Sequence, residues 1–423
     1  MVDGWRTFQE ELVTSRKRRG RRKWAIASLV AALGVGGYVA GAIVPRFGGP
    51  EPRPRSEGKA LIPSDTCRDV LCRIAWPELR RTESGVYEQW VDGHRIVYTL
   101  DPELQEQALS VLRQHEVPYG AFVAVEPATG KVLALAEYSR DAPKDRGFCG
   151  RATYPAASLV KLVTAAAALA TGKVGPDTEF RYEGNPYRLS PRKISASNGR
   201  RENNVSTLAE ALAKSNNVVF AKLGVEVVGV ERLEAALGAF GFNRPIPFDF
   251  RIQASQAAVP RQEFGLGETA AGFGDVYLSP IHAALIGAAV GNRGLMMQPY
   301  LVDTVEDSNG KVLYRTVPAP LARSVDKRVA QQLARMMEKT VTAGTSAKVF
   351  SRYAPKLQNE VGVAGKTGSL TGQNPPGMYE WFVGFAPIEE PKIAVASLVV
   401  NRKLWQIKGT YVAQAVMKEF FGL

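Results

Sequence analysis

Apolar and polar positions change rhythm several times along this chain, and the changes divide it into elements. Around residues 96–100 apolar positions form a strand-like run, and residues 102–115 follow with helical spacing. Residues 121–138 hold two apolar runs around Thr129-Gly130, the pattern of a β-hairpin. Helical spacing then predicts helices over 159–170, 208–223, 230–240, 280–291 and 327–340. Strand-like runs return at 381–386 and 393–401, and residues 414–421 close the chain as a helix. Strands at both ends of a helical middle predict an α+β domain whose sheet joins the two ends of the segment.

Upstream of residue 95 the pattern is different. Residues 24–44 carry no charged side chain, and 21 residues rising about 1.5 Å each span roughly 31 Å, the thickness of a bilayer core. Seven of the eight residues 16–23 are basic, which accounts for much of the net charge of +13. A basic run before an apolar one orients a single-pass helix with its amino terminus in the cytoplasm. The expected location is therefore the cytoplasmic (inner) membrane, in contact with its lipid, with the remainder extracytoplasmic or periplasmic. Two other readings compete: basic residues can bind nucleic acid, and Ala40-Gly41-Ala42 could end a cleaved signal peptide. The apolar run exceeds the usual core of about 7 to 15 residues of a signal peptide, so an anchor without a nucleic-acid role is the reading adopted. The organisation is a basic cytoplasmic tail (1–23), a transmembrane helix (24–44), a Pro/Gly-rich linker (45–58), a lead-in (59–94) and the main domain (95–423). Whether the lead-in forms a small subdomain or packs on the main domain stays open.

Candidate chemistry is sparse. Cys67, Cys72 and Cys149 match no zinc spacing, so no metal or other cofactor is expected. In an oxidising compartment Cys67 and Cys72 could close a small disulfide loop, while Cys149 reads as a buried apolar residue. The three histidines, His94, His115 and His282, all read as structural, and no HExxH, phosphate loop or GxSxG elbow is present. A serine nucleophile would then need lysine as its base, and Ser-x-x-Lys places the two side chains on one face of a helical turn. The pattern occurs at Ser56/Lys59, Ser158/Lys161, Ser190/Lys193 and Ser324/Lys327, and also at Ser308/Lys311 in a polar Asp-Ser-Asn-Gly context. The first and third lie in polar contexts, and Ser324 reads as a helix cap. Ser158 follows Pro155 and opens an apolar helix, where backbone N–H groups favour a developing oxyanion. Lys161 would need its pKa lowered by about 3 units, roughly 4 kcal/mol, to serve as base at neutral pH. Desolvation and a second cation can supply that shift.

Ser215-Asn216-Asn217 is the one Ser-x-Asn in the chain, and Lys366-Thr367-Gly368 the one Lys-Thr/Ser-Gly. With Ser158-Leu159-Val160-Lys161 before them, they resemble the three-motif signature of the penicillin-binding proteins and serine β-lactamases. The resemblance extends from about Arg95 to the last residue, through TLDPELQEQAL, AVEPATGKVLALA, SNNVVFAKLG, MMEKTVTAGTS and WFVGFAP. Two positions depart from it: Ala157 stands where a glycine usually precedes the serine, and Gly272-Phe273-Gly274 where a glutamine between glycines is common.

The resemblance implies a penicillin-binding/serine β-lactamase-like fold, an antiparallel sheet flanked by helices plus an all-helical subdomain. It implies a peptidoglycan D,D-transpeptidase acting on stem peptides, with β-lactams as covalent inhibitors. Ser158 would be the nucleophile, Lys161 the base, Ser215 the proton relay and Lys366 the neighbouring cation. Asn217 would hold the substrate backbone and Lys161; Thr367 and Ser369 would bind the terminal carboxylate beside Gly368, and the N–H groups of Ser158 and Ser369 would form the oxyanion hole. A D,D-carboxypeptidase and a β-lactamase or penicillin-sensing receptor of the same fold are the alternatives; Glu231 and Glu234 lack the Glu-x-x-Leu-Asn context that one class of β-lactamases uses to deacylate. The short stretch between membrane helix and main domain implies a separate glycan-polymerising membrane partner.

Overall fold

The structure, a computed structural model, describes Leu71 and residues 80–83, 85–194, 202–402 and 405–423. The expected transmembrane helix, the linker, Cys67, Cys72 and the Ser56/Lys59 pair lie outside the described residues. Among the described residues no helix is long and apolar enough to cross a membrane.

Five antiparallel strands form the central sheet: β1 (Tyr119–Val125), β2 (Val132–Tyr138), β3 (Ala364–Gln373), β4 (Pro376–Ala386) and β5 (Ile393–Asn401). Their order is β3-β4-β5-β1-β2, so the β5–β1 pairing, with Ala396 opposite Val123, joins the two ends of the domain as the pattern predicts. Every residue of β5 is buried, which is why it reads as a continuous apolar run and not as an alternation. One face of the sheet packs on helices Pro102–Gln114 and Gly409–Phe420 through Phe382, Val395 and Val399. The opposite face takes helix Pro280–Gly291, where Gly287 lies so near Val383 that a Cβ would come within 2.8 Å of its side chain. The helical middle gathers around Val160–Ala170, in which every residue except Ala170 is buried.

The lead-in does not stand alone. Strands Arg80–Arg81, Tyr87–Val91 and His94–Tyr98 form a second antiparallel sheet with Val302–Glu306 and Val312–Arg315. The strand expected at 96–100 is therefore His94–Tyr98, with Thr99 turning off to donate from its side chain to the Val132 carbonyl at 2.7 Å.

Three further expectations change. The helix expected over 208–223 is two helices, Leu208–Ala213 and Asn217–Lys222. Ser215 between them adopts φ 58, which no α-helix accommodates, and Asn216 starts the second helix by accepting from the Val219 N–H at 3.1 Å. Ser324 does not cap the helix Lys327–Thr342: it is fully buried, and Asp326 occupies the cap position. The last helix begins at Gly409, not at 414, because Gly409 is pressed on the Glu380 and Ser397 carbonyls, where a Cβ would come within 2.7 Å of both. The histidines and Cys149 are structural. His282 is buried with Nε2 2.7 Å from the Phe240 carbonyl, His115 stacks edge-on against Tyr411, His94 contacts the Asp92 carbonyl, and Cys149 is buried and free.

Candidate active site

Ser158 is presented on a tight turn. Tyr154–Pro155 pairs with strand Val276–Leu278, and Trp381 of β4 donates from Nε1 to the Pro155 carbonyl at 3.0 Å. Ala157 then adopts φ 49, a left-handed conformation unusual for alanine, and a 3-10 turn over Ala157–Leu159 leads into helix Val160–Ala170. The expected helix from 159 is thus shorter by one residue, and Ser158 sits in the turn before it. The turn rests on Gly272, at φ +91, where a Cβ would lie 2.1 Å from the Ala157 carbonyl oxygen. Only glycine fits that approach.

Lys161 is fully buried one turn further on. Its Nζ donates to Ser158 Oγ at 2.8 Å, to Asn217 Oδ1 at 2.7 Å and to the Ala271 carbonyl at 2.7 Å. Burial, reinforced by the charge of Lys366, holds its pKa well below the ordinary 10.5. Among the described residues, environment thereby separates this Ser-x-x-Lys pair from Ser190/Lys193. Lys193, in contrast, is half-buried and donates to the Asn185 and Arg188 carbonyls.

The break between the two helices brings the second motif in. Left-handed Ser215 turns its hydroxyl to Lys366, whose Nζ donates to Ser215 Oγ at 3.1 Å and to the Thr367 carbonyl at 2.7 Å. Lys366 is fully buried, and burial draws its pKa down to about 7. Asn217 is held from both ends: its Oδ1 accepts from Lys161 and its Nδ2 donates to the Tyr187 carbonyl at 2.9 Å. The third motif lies on β3, at the sheet edge. Gly368 leaves room for the turn, since a Cβ there would contact the Ser158 nitrogen, Ala157 Cβ and Leu159 Cγ at 3.4 Å.

The structure thus brings all eight residues singled out in the sequence to one place. The basic groups, Lys161 and Lys366, are buried, while Ser158, Ser215, Thr367 and Ser369 are half-exposed beside them. Three members of the site were not singled out. Tyr187 supplies the carbonyl that orients Asn217; Thr345 shares a hydrogen bond of 2.6 Å with the Thr367 hydroxyl; and Glu380 accepts from Ser369 Oγ at 3.0 Å. Thr345 lies in the TAGTS stretch, and Glu380 just before WFVGFAP, but nothing in their neighbouring residues marks either one.

A serine hydroxyl hydrogen-bonded to a desolvated lysine, with a second hydroxyl–lysine pair across the pocket, is equipped for covalent acyl transfer. Residues 120–422 match the family described as penicillin binding protein transpeptidase domain, and the chain belongs to that family. Among its relatives, the peptidoglycan D,D-transpeptidase PbpA of Mycolicibacterium smegmatis is 30% identical over 342 residues, 73% of this chain and 67% of that protein. The D,D-transpeptidase domain of a peptidoglycan glycosyltransferase from Eggerthella lenta superposes with a TM-score of 0.67 at 27% identity, covering 81% of this chain and 94% of that one. The penicillin G acyl-enzyme complex of penicillin-binding protein A from M. tuberculosis gives 0.61 at 27% identity, over 77% of this chain and 80% of that one.

Proposed function

We propose that this protein is a peptidoglycan D,D-transpeptidase that forms peptide crosslinks through an acyl-enzyme on Ser158 and is acylated by penicillins. The observation that carries the reading is the fully buried Lys161 with its Nζ 2.8 Å from Ser158 Oγ. A lysine that is neutral at working pH accepts the serine proton as Oγ attacks the carbonyl between the last two D-alanines. The tetrahedral oxyanion is met by the N–H groups of Ser158 and Ser369. Ser215, under the field of Lys366, passes a proton to the leaving amine, and D-alanine departs. The amine of a second stem peptide then attacks the ester, gives up its proton along the same route and restores Ser158. Thr367 and Ser369 hold the terminal carboxylate, and Asn217 holds both the peptide backbone and Lys161. Attack by water in place of the amine is the D,D-carboxypeptidase reaction.

The acyl-enzyme complex of the M. tuberculosis relative supports this chemistry. A β-lactamase role is disfavoured because Glu231 is exposed and paired with Arg261 at 3.2 Å, and Glu234 is exposed as well. The test is mass spectrometry after penicillin treatment. One adduct on Ser158 lasting hours is expected, lost in Ser158→Ala together with at least about 1,000-fold of the transpeptidation rate; an adduct elsewhere, or one shed in seconds, overturns the reading.

The residues before 59 belong to the same proposal. A helix over 24–44, following a basic cytoplasmic tail, would tether the catalytic domain outside the cytoplasmic membrane, through the linker 45–58 and the lead-in. There it would meet nascent wall made by a glycan-polymerising partner. The uncharged run of 24–44 and the basic run before it support this arrangement.

A further inference from the structure

The transfer chemistry uses no carboxyl group, yet one lies against the face that receives the substrate's carboxylate. Glu380 stands directly opposite Ser369 across the β3–β4 pairing and is 3% exposed. Its Oε2 accepts from the Ser369 hydroxyl at 3.0 Å, and its Oε1 is buried with no partner among the described residues. The groups around it are few. Ser369 faces it from β3, with Thr367 and Thr371 two residues away on the same side; Val399 faces it from β5, with Ser397 beside it. Helix Gly409–Phe420 packs on its backbone through Gly409. Among the described residues Lys408, just before that helix, is the charged group whose field reaches Glu380; with the Ser369 hydrogen bond, it favours the ionised form. Burial outweighs both and raises the carboxyl to about 7.

Ser369 has one hydroxyl proton to give. An ionised Glu380 only accepts, so it takes that proton and leaves Ser369 none for a substrate carboxylate. Its own charge also sits, poorly solvated, beside the place where a second carboxylate must bind. A protonated Glu380 reverses both effects: it donates to Ser369 Oγ, and the serine proton turns outward. We propose that Glu380 is a positioning residue that directs the Ser369 hydroxyl and makes anchoring of a carboxylate-terminated peptide depend on a proton held at Glu380. This rests on the reading of Thr367 and Ser369 as the carboxylate anchor.

The experiment uses the full-length protein in detergent and two donors, an acyl-D-Ala-D-Ala peptide and its C-terminal carboxamide. The acid-to-amide ratio of kcat/KM removes the titration of Lys161, which acts on both donors alike. For the wild type this ratio falls about tenfold from about pH 6 to about pH 8, following the protonated fraction of a group near neutrality. In Glu380→Gln, whose amide always donates to Ser369, it stays within about twofold over the same range. A flat ratio in the wild type overturns the proposal. So does an undiminished fall in Glu380→Gln, which would assign the dependence to Lys366. If Glu380→Gln does not fold, Ser369→Ala replaces it: the ratio then starts low and loses its tenfold fall, and a persisting fall overturns the proposal. Locating the penicillin adduct in the same preparations separates the two readings. An adduct on Ser158 with a flat ratio removes only the role of Glu380, whereas an adduct elsewhere removes the site assignment and this proposal with it.

Discussion

Ala157 holds a left-handed backbone immediately before Ser158, where the resemblance leads one to expect glycine. An alanine in that region carries about 1 kcal/mol of strain, and its buried methyl recovers about 0.8 kcal/mol. The two nearly cancel, which explains how the substitution is accommodated without moving the turn. Gly272 has no such latitude. Gly272→Ala is expected to destabilise the protein by more than about 2 kcal/mol, because its Cβ and the Ala157 carbonyl cannot share the same space. The same change should slow penicillin acylation at Ser158. Thermal melting together with labelling kinetics checks this, and a variant that melts and labels like the wild type would show that the glycine is not required. Lysine environments are decided at this scale too: Lys161 and Lys193 share the motif, but only Lys161 is fully buried and within reach of its serine. That difference comes from neighbours distant in the chain, so the motif by itself could not rank the copies.

At the scale of elements, the interruption between Leu208–Ala213 and Asn217–Lys222 matters most. Apolar spacing runs on through it, so periodicity alone predicts one continuous helix. The competing signals, a left-handed Ser215 and an Asn216 cap, are short and polar and leave no trace in a periodicity. Functionally the break is what turns Ser215 toward Lys366 and aims Asn217 at Lys161. Asn216→Ala removes the bond to the Val219 N–H and should cost about 1 kcal/mol of stability. Because Asn217 is the first residue of that helix, the acylation rate should drop as well, several-fold. Stopped-flow acylation at a temperature where both proteins are folded measures the second effect free of the first; an unchanged rate would mean that the Tyr187 carbonyl alone positions Asn217. Elements fully determined by their own residues behaved differently. Pro280–Gly291 has the predicted bounds, with Pro280 in its first turn and the Ser279 hydroxyl accepting from the His282 N–H.

For the whole molecule, the expected anchor leads to a fractionation experiment. The full chain should remain with membranes after an alkaline wash, and a chain lacking residues 1–44 should become soluble while still forming the Ser158 adduct; a full chain that washes off would remove the anchor from the proposal. Within the described residues, segments far apart are tied by single groups. Asp249 is one, its Oδ2 accepting from the Leu301 and Val302 N–H groups at 2.6 and 2.9 Å where the outer sheet begins its second half. The lead-in strand Tyr87–Val91 likewise pairs with His94–Tyr98, which finds its other partner some 200 residues later, as Val97 opposite Thr304 illustrates, so its own composition does not show what it packs on. By itself the sequence determined what depends on near neighbours. These are the α+β pattern, the β1–β2 hairpin, the strand ends of the sheet and the three motifs in order, since periodicity and turn chemistry are local properties of a chain. Tertiary structure alone decided which polar groups meet. Ser215 and Lys366 are 151 residues apart, Asn217 and Tyr187 30, and Ser369 and Glu380 11. It also decided which lysines lose their solvation, because burial is the sum of everything packed around a group, and no window of sequence contains that sum.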